Sequence, residues 1–171
     1  AISEITALPE FVKTTEIPNP TLINHYLPLP ALKFERISTQ DGLSNSIINC
    51  ILQDKMGFMW FGTQDGLNRY DGSEFKVFRH DSNDPGSLED DFIESIYEDR
   101  NGVIWVGSQD VWLVRYDTQN GSFSHYDLGA RILSIFEDSF GRFWIGTLEP
   151  GLMLFDRESG ETSLIWTDRE I

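Results

Sequence analysis

Three stretches of this chain carry one pattern. IINCILQDKMGFMWFGTQDGLNRYDGSEFKVF (Ile47 to Phe78), FIESIYEDRNGVIWVGSQDVWLVRYDTQNGSF (Phe92 to Phe123) and RILSIFEDSFGRFWIGTLEPGLMLFDRESGET (Arg131 to Thr162) align on Trp60, Trp105 and Trp144, which stand 45 and 39 residues apart. Other columns return with the tryptophans: Asp54, Asp99 and Asp138; Gly57, Gly102 and Gly141; Gly62, Gly107 and Gly146; then Tyr70-Asp71, Tyr116-Asp117 and Phe155-Asp156. Such a period means one small structural unit used repeatedly, each copy supplying part of its neighbour's core.

Each copy reads as four short strands, A to D. In the first, A spans Ile47 to Gln53, B Phe58 to Thr63, C Leu67 to Tyr70 and D Glu74 to Phe78, with Met56-Gly57, Asp65-Gly66 and Asp71-Gly72 between them. Asp-Gly is a hairpin signal because glycine accepts the positive φ these turns demand. The later copies keep the punctuation in Asn101-Gly102, Asn120-Gly121, Gly141, Pro150-Gly151 and Ser159-Gly160.

Strand B fixes the architecture. A strand with one wet face alternates apolar and polar residues, yet Phe58-Met59-Trp60-Phe61, Val103-Ile104-Trp105-Val106 and Phe143-Trp144-Ile145 are apolar throughout, so both faces must be covered. A four-stranded antiparallel sheet repeating at about 40 to 50 residues and covered on both faces by copies of itself is a blade of a β-propeller. A β-sandwich would leave each strand a wet face. The fold expected is all-β: three blades, over about 47–80, 92–126 and 131–166, preceded by a lone outer strand over 32–37. Propellers close with four to eight blades, so three make an incomplete ring. It is completed either by the remaining blades of a longer chain or by self-association.

These motifs resemble a known family. Ser44 to Gly72, the preceding Phe34 to Leu43 and the segment Asn83 to Ser108 are similar to two-component regulator propeller repeats, and the resemblance extends over roughly Phe34 to Trp166. It implies an extracytoplasmic, periplasmic sensor region of a bacterial signalling protein whose parent is exported and membrane-anchored, with Ala1 at a processed or excised start. One departure is Val111-Trp112, where the family carries two glycines before the leucine of strand C.

Composition narrows the partners. A net charge of −15 over 171 residues excludes binding to nucleic acid or an anionic membrane surface, which requires clustered Lys and Arg. No run of about 18 apolar residues occurs, so no membrane-inserting helix is expected. Residues 1–33 carry Pro9, Pro18, Pro20, Pro28 and Pro30 and no repeat column; they read as an irregular leader. Cys50, the only cysteine, lies in apolar strand A and reads as a small core residue.

Candidate chemistry is sparse. The Asp54, Asp99 and Asp138 column, three residues before a turn glycine, fits a carboxylate that accepts backbone N–H groups in the A to B turn. The loop Asp81 to Asp91 starts like a calcium-binding EF-hand, but Pro85 and Phe92 occupy positions that need ligands, so it reads as a connector. His25, His80 and His125 accompany no nucleophile signature. The chain is therefore expected to be non-enzymatic, with no catalytic residue, metal or cofactor. The three repeated tryptophans are expected in the inter-blade core. In a meander the B to C and D to A connections share one end, which would present Asp41, Gln64, Asp65, Gln109, Asp110, Trp112 and Glu149. Amides and carboxylates beside an indole suit a neutral polyhydroxyl ligand, a carbohydrate fragment. The alternative is a scaffold for protein association that recognises no small molecule.

Overall fold

Every glycine-punctuated repeat folds as a meander of four antiparallel strands. The computed structural model describes residues 36–166. The leader, the lone strand expected over 32–37 apart from its last two residues, and the tail over 167–171 lie outside the described residues. Arg36 and Ile37 are in no strand. Among the described residues a 3-10 turn at Thr39–Asp41 leads into twelve strands. Blade 1 is β1 (Ile48–Gln53), β2 (Met59–Thr63), β3 (Gly66–Tyr70) and β4 (Phe75–Phe78). Blade 2 is β5 (Ile93–Glu98), β6 (Ile104–Ser108), β7 (Trp112–Tyr116) and β8 (Phe123–Asp127); blade 3 is β9 (Ile132–Glu137), β10 (Phe143–Thr147), β11 (Leu152–Phe155) and β12 (Thr162–Trp166). Within each sheet the strands pair in chain order. The first strand β5 neighbours both β1 and β9, so the blades radiate from their first strands as in a propeller.

The turns form where side chains replace missing backbone partners. At the β1–β2 turn the Asp54 carboxylate accepts Met56 N–H (3.0 Å) and Phe58 N–H (2.9 Å) through Oδ1, while Oδ2 accepts Trp60 Nε1–H (2.7 Å). Asp99 does the same for Asn101, Val103 and Trp105, and Asp138 for Phe140, Arg142 and Trp144. The column therefore has the expected turn role and a further one: it satisfies the indole N–H and so allows the tryptophan to be buried.

Burial follows the position of each blade. Trp60 and Trp105 are 0% and 1% exposed. Trp60 meets Tyr116 of blade 2 edge-on at 5.5 Å between centroids, and Trp105 meets Phe143 and Phe155 of blade 3 at 4.9 and 5.7 Å. Trp144 occupies the same place in blade 3, on the face away from blade 2, and is only half-buried. Similarly, β6 of the central blade is buried at all five positions, whereas β2 and β10 mix buried and half-buried residues. The two-sided apolar pattern of strand B is thus met fully only where a blade lies on both sides.

The second glycine column is a packing requirement. A Cβ on Gly62 would lie 2.6 Å from Ile93 Cγ2, and one on Gly107 would lie 2.8 Å from Ile132 Cβ, so the first strand of the following blade rests directly on this backbone. At Gly146 the nearest atoms such a Cβ would meet belong to Ser134, within the same blade.

Charged side chains lock the blades in register through the A to B turns. Lys55 donates from its backbone N to Glu98 Oε2 (2.9 Å) and from Nζ to the carbonyls of Asp99 (2.8 Å) and Arg100 (3.1 Å) in blade 2. One blade further on, Arg100 donates from its backbone N to Glu137 Oε2 (3.0 Å), pairs through Nε with Glu137 Oε1 (2.6 Å) and reaches the Asp138 carbonyl (2.8 Å). Both interfaces thus share one backbone contact, in which the N–H of the residue after the turn aspartate donates to the glutamate before the next turn aspartate; the cation itself pairs with that glutamate only at Arg100 and Glu137, whereas Lys55 Nζ holds the carbonyls of the next turn.

Gly62→Ala and Gly107→Ala are expected to destabilise the fold by about 1–3 kcal/mol each through overpacking against the next blade. Gly146→Ala is expected to cost clearly less. Denaturant melts of the three variants check this, and equal losses at all three sites would refute the inter-blade origin of the glycine column.

Candidate functional site

Hydrogen bonds gather the B to C turns and the D to A connections at one end of the blades. Gly66 N donates to Asp91 O (2.7 Å), Gln109 N to Phe92 O (2.9 Å) and Leu148 N to Arg131 O (3.0 Å), each joining a B to C turn to the chain entering a blade. Ser44, which follows Asp41 into blade 1, joins Asn68 and Thr63 in the same way.

The seven residues expected at this end have varied surroundings. Asp41 accepts Ser38 N–H (2.8 Å) and Oγ–H (2.9 Å), capping the 3-10 turn, and lines a recess of about 430 Å³ with Arg36, Ser38, Thr39 and Gln40. Gln64 is exposed at the β2–β3 turn, and beside it Asp65 pairs with Arg79 (2.9 Å). Gln109 and Asp110 form the β6–β7 turn, where Asp110 N donates to Asp90 Oδ2 (3.3 Å). Trp112 opens β7 and packs half-buried against the core between blades 1 and 2, so its ring buttresses this end. Glu149 sits in the β10–β11 turn.

Sequence reasoning missed the inner rim. In each blade the first strand is irregular at the same place: Asn49, Glu94 and Leu133 are skipped in the pairing with the second strand. Such bulges re-aim a side chain and recur beside functional sites. Asn49 Nδ2 donates to Ile93 O of blade 2 (2.8 Å), and Arg131 of blade 3 pairs through Nη2 with Glu94 of blade 2. Arg131 Nε is buried with no hydrogen-bond partner among the described residues. The signal that could have found this rim is the column Asn49, Glu94, Leu133, variable in type between two β-branched or small residues.

The opposite end carries a larger cleft with different chemistry. About 790 Å³ opens between blades 2 and 3, bordered by Asp99, Arg115, Arg142, Phe143, Arg157 and Glu158. None of the seven expected residues lines it. Arg157 bridges Asp99 Oδ2 (3.0 Å) and Glu137 Oε1 (2.7 Å) from the adjoining turns while lying over the Phe143 ring. Burial pushes the Glu137 carboxyl up, but the Arg100 N–H, the Arg157 guanidinium and the Arg100 charge outweigh it and hold the group below its ordinary range. Asp138 also ends below its ordinary range, because hydrogen bonds from Trp144, Arg142 and the turn backbone overcome desolvation. Asp99 and Glu137 thus serve as ion-pair anchors between blades.

Two further expectations concern single residues. The connector over 81–91 is bonded to itself and pinned by histidines: Asp81 accepts Asn83 N–H (2.9 Å), Asp84 accepts Gly86 N–H (2.9 Å), and His80 Nδ1 and His125 Nε2 donate to Leu88 O and Ser87 O (both 2.7 Å). His25 lies outside the described residues. Burial pushes the Cys50 thiol up to about 12, against a lowering contact from the Gly62 backbone and with the Glu94 charge adding to the rise. This suits a packing role.

Comparison with known proteins identifies the repeat. The two component regulator propeller family matches residues 42–65, 87–110 and 128–149, one stretch per blade. Each of the three blades thus carries one match to the two component regulator propeller repeat. The extracellular domain of a protein assigned as a one component system from B. thetaiotaomicron is similar with a TM-score of 0.64 at 25% identity, over 77% of this chain and 18% of that one. A second extracellular domain, of a hybrid two component system from the same organism, shares the fold at 21% identity and TM-score 0.52, over 77% and 26%. "Histidine kinase P4" of Formosa agariphila is 46% identical over 55 residues, which is 32% of this chain and 4% of that protein. The chain therefore spans a small part of each relative. Among the described residues no helix is long and apolar enough to cross a membrane.

Because the folded Glu137 pKa lies below its ordinary value of 4.5, its stabilisation is complete above that value and is lost as pH falls through it toward the folded value. Melting temperature should fall through this acid range, and Glu137→Gln should be less stable at pH 7 with a shallower acid slope. A variant with an unchanged slope would remove Glu137 as a cause. In the native chain at pH 8, Cys50 should resist a thiol reagent until denaturant is added; immediate labelling would show that this strand is open.

Proposed function

We propose that this chain is part of the sensor region of an extracytoplasmic bacterial signalling protein, a non-enzymatic module that takes up a ligand at the B to C and D to A end of its blades. The observation that carries this reading is the inner rim, where successive first-strand bulges set Asn49, Glu94 and the Glu94–Arg131 pair beside the turns of the same end, with Arg131 Nε left buried and without a partner among the described residues. Buried unpaired donors are uncommon because they forfeit hydrogen-bond energy, so the Arg131 side chain has a reason to turn outward and donate Nε–H to a ligand oxygen at the rim. The compartment is supported by the solved relatives, which are extracellular domains.

The ligand class follows from the groups available. Amide, carboxylate and guanidinium groups of Asn49, Glu94, Arg131, Gln64, Gln109 and Asp110 offer both donors and acceptors, and Trp112 contributes the edge of an aromatic surface. That mixture suits a neutral, hydroxyl-rich molecule such as a carbohydrate fragment. A second reading, an association scaffold, is favoured by the exposed apolar residues Ile51 and Phe136 on the outer sheet faces.

Titration calorimetry of the chain against a panel of neutral oligosaccharides tests the ligand reading. Binding of at least one is expected, weakened about tenfold or more by Glu94→Ala and less by Trp112→Ala. A panel without heat, or a sugar whose affinity ignores Glu94→Ala, would overturn this site.

A further inference from the structure

Two Asn-Gly steps stand in the turns of blade 2, Asn101-Gly102 between β5 and β6 and Asn120-Gly121 between β7 and β8, each with its asparagine exposed. Such a step carries latent chemistry. The backbone nitrogen of the second residue attacks the side-chain amide carbon, a new N–C bond forms as the bond to Nδ2 breaks, and the nitrogen's proton departs with the amide as ammonia. Water then opens the resulting succinimide across either of its two C–N bonds, giving aspartate or isoaspartate. Glycine hinders the attack least because it has no Cβ.

What separates the two steps is the hold on the asparagine side chain. In both turns the glycine N–H donates to the aspartate that opens the turn, Gly102 to Asp99 O (3.0 Å) and Gly121 to Asp117 O (2.8 Å), so this bond does not distinguish them. Asn120 is fixed at both ends of its amide: Nδ2 donates to Asp117 Oδ2 (3.1 Å), and Oδ1 accepts Ser122 N–H (2.9 Å) and Oγ–H (2.6 Å). Asn101 donates its backbone N–H to Asp99 Oδ1 (2.9 Å), and its carboxamide has no hydrogen bond among the described residues. It also borders the cleft of about 790 Å³, where water reaches a succinimide.

The turn at Asn101 is a structural tie. Asp99 closes it by accepting both Asn101 N–H and Val103 N–H (3.1 Å), and Lys55 Nζ of blade 1 holds the carbonyls of Asp99 and Arg100. Isoaspartate inserts a methylene into the backbone between those two N–H groups. One carboxylate then no longer spans both at these distances, and the contact between blades 1 and 2 loosens.

We infer that Asn101 is a spontaneous deamidation site, at which Gly102 N displaces the side-chain amide as ammonia, whereas the bonded Asn120 is spared. The inference rests on the turns of blade 2 and is independent of the ligand reading.

Peptide mapping of the full chain, aged at neutral and at mildly alkaline pH, tests it. Trypsin cuts after Arg100, Arg115 and Arg131, so peptides 101–115 and 116–131 carry one asparagine each. Aspartyl and isoaspartyl products should accumulate in 101–115, faster at alkaline pH, and at least about tenfold more slowly in 116–131, where side-chain hydrogen bonds must break before attack. In denaturant the two peptides should react at similar rates. Ser122→Ala, at an exposed position, should speed the reaction in 116–131 and leave 101–115 unchanged. Aged protein enriched in isoaspartate should melt below the fresh protein. A native chain whose 101–115 peptide stays intact, or whose two peptides react equally fast, would overturn the assignment; an aged form with the melting temperature of the fresh one would overturn the structural tie.

Discussion

The hydrogen bond from each repeated indole to its turn aspartate is what the rest of the structure depends on. One carboxylate closes the A to B turn through two backbone N–H groups and accepts the tryptophan N–H six residues later, so turn formation and tryptophan burial are a single event. The indole can then lie in the core without an unsatisfied donor, and the aromatic contacts between blades follow. Where another blade covers the tryptophan, as at Trp60 and Trp105, exposure is almost nil; Trp144 has the same bond and lacks the cover.

Apolar contact alone would leave the blades free to slide. Close approach of an isoleucine to the Gly62 and Gly107 backbones and the contacts of Lys55 and Arg100 fix their register at the two ends of the next blade's first strand, Ile93 and Ile132 at one end and Glu98 and Glu137 at the other. Arg157 adds a third tie between blades 2 and 3 by bridging Asp99 and Glu137. With these turns committed to ties between blades, the recognition site proposed above lies at the opposite end, beside the bulges of the first strands. Rigid sheets that carry variable loops at one end are a common basis for binding.

Much of this was legible in the residues. The period, the glycine punctuation and the two-sided apolar B strands are local properties, and they specify four-stranded blades with boundaries close to those observed. The turn role of Asp54, Asp99 and Asp138 was readable for the same reason, since its partners lie within four residues. The candidate site was legible only as an end of the blades: its turns could be placed by counting strands, but Asp41 proves occupied in capping and Trp112 in packing. Asn49, Glu94 and Arg131 were hidden because a bulge is a relation between two strands, and no spacing within one strand announces it.

By itself, then, the sequence determined the repeating unit, its strand order and the residues that close its turns, because all of these depend on neighbours a few positions apart. Only the tertiary structure decided which charges meet across blades, why Gly62 and Gly107 tolerate no Cβ, which tryptophan lacks a cover, and where the inner rim leaves Arg131 Nε without a partner among the described residues. Those properties arise between residues roughly one repeat apart, and their geometry exists only once the blades pack.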